Sequence, residues 1–365
     1  MEKKLLFFMP YIGGGGVEKN LFIIANYFSN RFQNLYILSS SNKYKHKFSK
    51  KIKFISPKKN LNENSNIRFK YLISLYYLFL FLIKNRRTVV FSFQANIYAI
   101  VLCKILGIKI IARSNSSPEG WYHSWAKKLI YKNIINFADL VFVNSHEFKI
   151  QMNKNFGIKS ICIFNPLDKK RIISKSKLKI NNIPFKKGEL KILNIGRLTD
   201  QKDQITLIKM AEILKTKKIN FKLIIMGRGI EYFNLKKAIN NKKLKKFVKI
   251  LSFQNNPYPY IKACDLFILS SKYEGLPNVL LEAATLKKFI ISTNCPTGPK
   301  EILLNGRGGQ LFKVGDYKDL VKKIIFFKKN KLLSKKIVKL NYEKLDRFDY
   351  LKNLKRYYQN IKKFM

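Results

Sequence analysis

Acidic residues are scarce in this chain: 21 Asp and Glu face 73 Lys and Arg, a formal charge of +52 over 365 residues. Such an excess points to a polyanionic partner, either nucleic acid or an anionic membrane surface, or to the bias that an AT-rich coding sequence imposes without any partner. No nucleic-acid-reading module accompanies the charge, so nucleic acid is not an expected partner. Cysteine is sparse as well. The four residues, Cys103, Cys162, Cys264 and Cys295, lie far apart and form no C-x-x-C pair, which argues against a disulfide framework or zinc site and fits a reducing cytoplasm. No D-x-D cluster offers carboxylates to a divalent ion, so neither metal nor cofactor is expected. His46, in a lysine-rich loop, and His123, on an expected helix, have no evident role. Long apolar runs are also missing. The longest, Tyr71–Ile83, is short of the roughly 20 residues a bilayer-spanning helix needs, and Met1–Met9 reads as a buried strand rather than a signal peptide.

The length fits two domains, each able to bury its own core. Short apolar runs at Leu5–Met9, Leu35–Leu38, Val89–Phe93, Ile108–Ala112, Leu140–Val143 and Ile161–Phe164 predict strands, with helical periodicity in the gaps between them. A polar, lysine-rich stretch, Lys169–Gly188, reads as a linker after Asn165-Pro166. A second series follows, with strands at Lys191–Ile195, Phe221–Met226, Val248–Leu251, Leu266–Leu269 and Phe289–Ser292 and helices at Gln204–Lys215, Glu231–Asn241 and Pro277–Leu286. Alternating strand and helix imply parallel pairing through right-handed crossovers. The expected fold class is therefore α/β: two Rossmann-like, doubly wound domains facing across a cleft. The expected boundaries are 1–166 for an acceptor-side domain, 167–345 for a nucleotide-binding domain, and 346–365 for an amphipathic helix that crosses back or rests on a membrane.

The chemistry concentrates in Glu274-Gly-Leu-Pro-Asn-Val-Leu-Leu-Glu282, which follows an expected strand and opens a helix at Pro277, a residue suited to a first helical turn. The backbone amides of Asn278, Val279 and Leu280 would point along the helix dipole at an anion. The flanking carboxylates of Glu274 and Glu282 can accept hydrogen bonds from sugar or ribose hydroxyls. A second cluster, Gly196-Arg197-Leu198 with Gln201-Lys202-Asp203, places two cations after a strand, where they could neutralise a diphosphate.

With its flanks Ser270–Tyr273 and Cys295–Leu303, the paired-glutamate segment resembles the signature of family 4 of the retaining glycosyltransferases, which have the GT-B fold. The resemblance implies that Glu274 holds the donor sugar, that Glu282 holds the ribose and that Leu276 and Pro277 line the donor site. It makes Arg197 and Lys202 the diphosphate pair, beside Gly196. Arg228, in Met226-Gly-Arg-Gly229, and Phe253 with Gln254 match segments beside the nucleotide and its base. Gly15, Gly16 and Glu18 match the family's loop that closes over donor phosphates or touches the acceptor. One departure stands out: where many members carry a histidine that contacts the donor sugar, this chain has Arg113-Ser-Asn115, so Arg113 or Asn115 takes that contact or the acceptor differs. Val143–His146 resembles a strand end that faces the cleft.

The resemblance implies transfer of a hexose or N-acetylhexosamine from a UDP-sugar, with retention and without metal. Arg68, Lys70, Lys84, Arg86 and Arg87 bracket Tyr71–Ile83, as suits either a helix lying in a membrane interface or a buried helix with snorkelling ends. A lipid-linked or polysaccharide glycan at the inner membrane face is the preferred acceptor. Two rivals remain open: a UDP-sugar epimerase of the same fold, for which no acid/base pair is apparent, and a non-enzymatic polyanion-binding protein.

Overall fold

The computed structural model describes residues 3–13, 15–57, 66–94, 96–115, 125–180 and 183–365; His123 lies outside these. The chain forms two compact units, Met1–Pro166 with Tyr350–Met365, and Leu167–Asp349.

In the first unit the order is β1 (Lys4–Phe8), α1 (Gly16–Phe28), β2 (Leu35–Leu38), β3 (Lys53–Ile55), α2 (Ile67–Lys84), β4 (Thr88–Ser92), α3 (Asn96–Ile105), β5 (Lys109–Arg113), α4 (Trp125–Asn136), β6 (Leu140–Val143), α5 (His146–Phe156) and β7 (Ile161–Cys162). The sheet runs β3-β2-β1-β4-β5-β6-β7, and every pairing is parallel, with Leu5 beside both Leu35 and Val89. Both faces are covered, which is why β1 is a continuous apolar run rather than an alternating one. Leu5 and Phe7 pack on one face with Phe28, Phe91 and Tyr357. Leu6 and Phe8 pack on the other with Leu78, Leu82 and Ile100. Each such side chain stabilises the fold by about 1.5–3 kcal/mol relative to exposure.

In the second unit follow α6 (Lys169–Ser176), β8 (Leu190–Ile195), α7 (Gln204–Thr216), β9 (Phe221–Met226), α8 (Tyr232–Asn241), β10 (Val248–Leu251), α9 (Tyr258–Ala263), β11 (Leu266–Leu269), α10 (Asn278–Thr285), β12 (Phe289–Thr293), α11 (Pro299–Ile302), β13 (Gln310–Phe312), α12 (Tyr317–Lys329) and α13 (Lys331–Glu343). Helix α14 (Tyr350–Lys362) then returns to the first unit. The second sheet, β10-β9-β8-β11-β12-β13, is likewise parallel.

Three departures from the sequence reading concern weakly patterned segments. The expected linker contains α6, capped by Asp168, whose carboxylate accepts from the Arg171 amide at 2.9 Å. The short edge strands β3 and β13 had no apolar run to announce them. Helix α10 starts at Asn278, with Pro277 as its N-cap.

Candidate functional site

In the second sheet the strand order reverses between β8 and β11, since chain succession runs outward from β8 to β9 and β10, and from β11 to β12 and β13. Loops leaving the carboxyl ends of such a pair diverge and open a crevice, the usual place for a ligand in an open parallel sheet. Both sequence-identified clusters lie on this edge. Gly196–Lys202 follows β8, and Ser270–Pro277 follows β11.

Hydrogen bonds fasten the two loops together. Lys202 Nζ pairs with Glu274 Oε1. Ser271 Oγ donates to the same carboxylate at 2.6 Å. Ser270 Oγ donates to the Lys202 carbonyl at 2.8 Å, Gln201 Nε2 to the Tyr273 carbonyl at 2.9 Å, and the Lys272 amide to the Gln201 carbonyl at 2.8 Å. The paired side chains of Lys202 and Glu274 are 14% and 8% exposed, so the interaction is weakly screened by solvent. Arg197 is exposed, with Nη2 donating to Gln201 Oε1 at 3.2 Å.

Two glycines permit the close packing of this edge. A Cβ on Gly227 would overlap the Gly196 carbonyl oxygen, which lets the loop after β9 lie directly on the loop after β8. Gly298 has φ +85°, and a Cβ there would overlap the Gly275 carbonyl oxygen. The loop after β12 thus reaches Glu274, whose amide donates to the Pro296 carbonyl at 2.6 Å. On the outer side, the Arg228 guanidinium lies 5.2 Å from the centre of the Phe253 ring, and both residues are exposed. Gln254 donates through Nε2 to the Ser252 carbonyl at 3.4 Å. An exposed ring beside a guanidinium is a group on which a flat ligand can stack.

Helix α10 carries Glu282, 4% exposed, whose Oε1 accepts from Tyr258 Oη at 3.5 Å. One expectation narrows here. The Leu280 amide donates to the Pro277 carbonyl at 3.0 Å, closing the first turn, so it is not an outward-pointing donor. The anion role is reduced to the Asn278 and Val279 positions, with Leu276 and Pro277 buried behind them. Ser270, Ser271 and Tyr258 were visible only as flanking residues in the sequence. Their hydroxyls matter because of what they touch, and spacing does not reveal that.

The first sheet has its own reversal, between β1 and β4, and the glycine loop follows β1 there. Glu18, 8% exposed, folds back so that Oε1 accepts from the Gly13 amide at 3.2 Å; Gly15 is the N-cap of α1, and Gly16 its first residue. Arg113 corrects the sequence reading. It is fully buried, with Nε donating to Tyr357 Oη at 2.9 Å, Nη2 to Asn165 Oδ1 at 2.6 Å, and Nη1 to Asn115 Oδ1. The guanidinium is a structural hub rather than a surface contact for a sugar. Asn115 also donates to the Phe93 carbonyl at 2.8 Å, so it is held in place. Lys70 likewise is not a flanking surface cation: it is 3% exposed, with its ammonium 4.2 Å from the centre of the Tyr11 ring. Among the described residues no three of His, Cys, Asp and Glu group as metal ligands would. No helix there is long and apolar enough to cross a membrane.

The sequence profile of the family described as Glycosyl transferases group 1 matches residues 175–344. An uncharacterized glycosyltransferase of Methanocaldococcus jannaschii is 37% identical over 193 residues, which cover 52% of this chain and 47% of that protein, so the match spans about half its length. The N-acetylgalactosamine-N,N'-diacetylbacillosaminyl-diphospho-undecaprenol 4-alpha-N-acetylgalactosaminyltransferase of Campylobacter jejuni is 27% identical over 326 residues, or 86% of each chain. Among solved structures, that of HepE from Anabaena in complex with UDP-glucose superposes with a TM-score of 0.80 at 18% identity, covering 99% of this chain and 100% of that one.

Proposed function

We propose that this chain, whose residues 175–344 match the glycosyl transferases group 1 family and whose fold is GT-B, is a retaining glycosyltransferase using a UDP-sugar donor. The supporting observation is the Lys202–Glu274 pair, which joins the two loops at the strand-order reversal. Without donor, cation and carboxylate satisfy each other. With donor, the diphosphate takes Lys202 and Arg197, and the sugar hydroxyls take Glu274. Charge developing on the leaving diphosphate is met by these cations and by the start of α10, so the reaction needs no divalent ion. Glu282 takes the ribose, and the Arg228–Phe253 pair stacks beside the base. The acceptor attacks the anomeric carbon from the face the diphosphate leaves, with the departing phosphate accepting its proton.

The acceptor in this proposal is a lipid-linked or polysaccharide glycan, and the transferred sugar is a hexose or N-acetylhexosamine. The Campylobacter relative, named for transfer to a diphospho-undecaprenol-linked glycan, supports both choices. Action at the inner membrane face is supported by α2, where Phe69, Leu72, Tyr76 and Phe79 recur at helical spacing and are 39–65% exposed, with no acidic residue in the helix. The test is incubation with bacterial membranes and a panel of radiolabelled UDP-sugars. One sugar should enter the lipid fraction with the native protein, and E274A should transfer at least about a hundredfold more slowly. Transfer that E274A leaves unchanged would refute the proposal.

A further inference from the structure

At the amino-terminal edge of the first sheet, opposite the edge that carries the glycine loop, lies a hollow of about 820 Å³. Among the described residues it is lined by Lys3, Arg31, Arg86, Arg87, Lys109 and the Phe364 ring, with others, and by no Asp or Glu side chain. The five cations are all exposed. They come from separate parts of the chain: Lys3 precedes β1, Arg31 follows α1, Arg86 and Arg87 precede β4, and Lys109 opens β5. Their convergence is a product of the fold, not of one basic run.

Helix capping explains part of this. Arg31 Nη1 donates to the Tyr27 carbonyl at 2.8 Å, Arg86 Nη1 to the Leu106 carbonyl at 3.1 Å, and Lys3 Nζ to the Phe364 carbonyl at 2.9 Å, each near the carboxyl end of a helix where a cation is favoured. Capping does not account for Lys109, whose ammonium lies 5.9 Å from the Phe364 ring centre, or for gathering all five around one space. A guanidinium has five N–H donors, so one spent on a cap positions the group and leaves others for an anion.

We propose that this hollow binds a phosphate-bearing anion. The ligand class follows from the lining: several cations around a space large enough for more than one phosphoryl group suit an oligophosphate or a phosphorylated headgroup better than a single carboxylate. The hollow belongs to the first unit and the loops after β8 and β11 to the second, so it does not depend on the donor assignment.

The experiment measures binding of the full chain to tripolyphosphate by calorimetry, and to vesicles of pure phosphatidylcholine or of phosphatidylcholine with phosphatidylglycerol by sedimentation. The proteins are native, R86Q/R87Q, K109Q, and a charge-matched control, K236Q/K237Q, on α8 of the second unit. Saturating UDP is added throughout to occupy any nucleotide site. Tripolyphosphate or anionic vesicles should bind the native protein, about tenfold weaker to R86Q/R87Q and measurably weaker to K109Q, with the control unchanged. Binding by tripolyphosphate alone marks a soluble ligand, by anionic vesicles alone a headgroup, and either supports the site. Equal loss in the control, indifference to R86Q/R87Q and K109Q in folded protein, or no binding in either arm would overturn it.

Discussion

At the residue scale, the carboxylates and cations at the carboxyl edge of the second sheet were legible because they sit in short segments with fixed spacing next to strands. Glu274 and Lys202 are 72 positions apart, yet each announces itself locally, and the strand order joins them. Arg113 was not legible in that way. A polar residue at a strand's carboxyl end reads as a ligand contact, and the partners that overrule this, Asn165 and Tyr357, lie 52 and 244 positions away. The cysteines show the converse: an absence of pairing in sequence becomes a chemical property once burial is known. All four are buried, and desolvation pushes the thiols of Cys103, Cys264 and Cys295 up to about 12. The thiolate is the reactive form, so at pH 8 these three react far more slowly than free thiols while folded. A disulfide reagent such as DTNB should therefore titrate essentially no thiol in the native protein at pH 8 and four after unfolding in guanidinium chloride; prompt native labelling of one or more would contradict the burial.

At the element scale, legibility tracked apolar content. Central strands with both faces covered, such as β1 and β9, have continuous buried runs, and the sequence places them within a residue. Edge strands β3 and β13 have three residues each and only one fully buried position between them, so no periodicity could form. Helix α6 was hidden by its lysines, with Ile172 its one buried aliphatic side chain. Helix α14, by contrast, carries its pattern openly: Leu354, Tyr357 and Ile361 are buried on one face, in the core beneath β1 and β4. Its attachment is polar as well as apolar, because Tyr357 Oη accepts from the Arg113 guanidinium and donates to the Ile163 carbonyl at 3.3 Å. Y357F keeps the ring and removes that oxygen, leaving a buried cationic N–H without its acceptor. The expected cost is about 1–3 kcal/mol, read as a lower urea midpoint at unchanged slope. A midpoint equal to that of the native protein would show that the hydroxyl does not hold the helix.

At the scale of the whole molecule, electrostatics is governed by the charge of +52. The few ion pairs among the described residues are exposed or half-buried, apart from Lys202–Glu274, and solvent-accessible pairs contribute little, about 0–1 kcal/mol each. Repulsion among the remaining cations is spread over the surface and acts against compactness. Salt weakens both, but the repulsive pairs far outnumber the attractive ones, so screening should leave the folded state better off. Shortening the Debye length from about 10 Å at 0.1 M salt to about 3 Å at 1 M should raise the thermal midpoint by several degrees, roughly 2–4 °C for each kcal/mol of repulsion relieved. Comparing anions separates this general effect from specific binding. Sodium chloride at rising concentration reports screening alone, whereas tripolyphosphate at matched ionic strength should add a further rise in native protein that R86Q/R87Q loses. A midpoint that stays flat or falls in sodium chloride would mean that the attractive pairs carry more of the stability than their exposure allows.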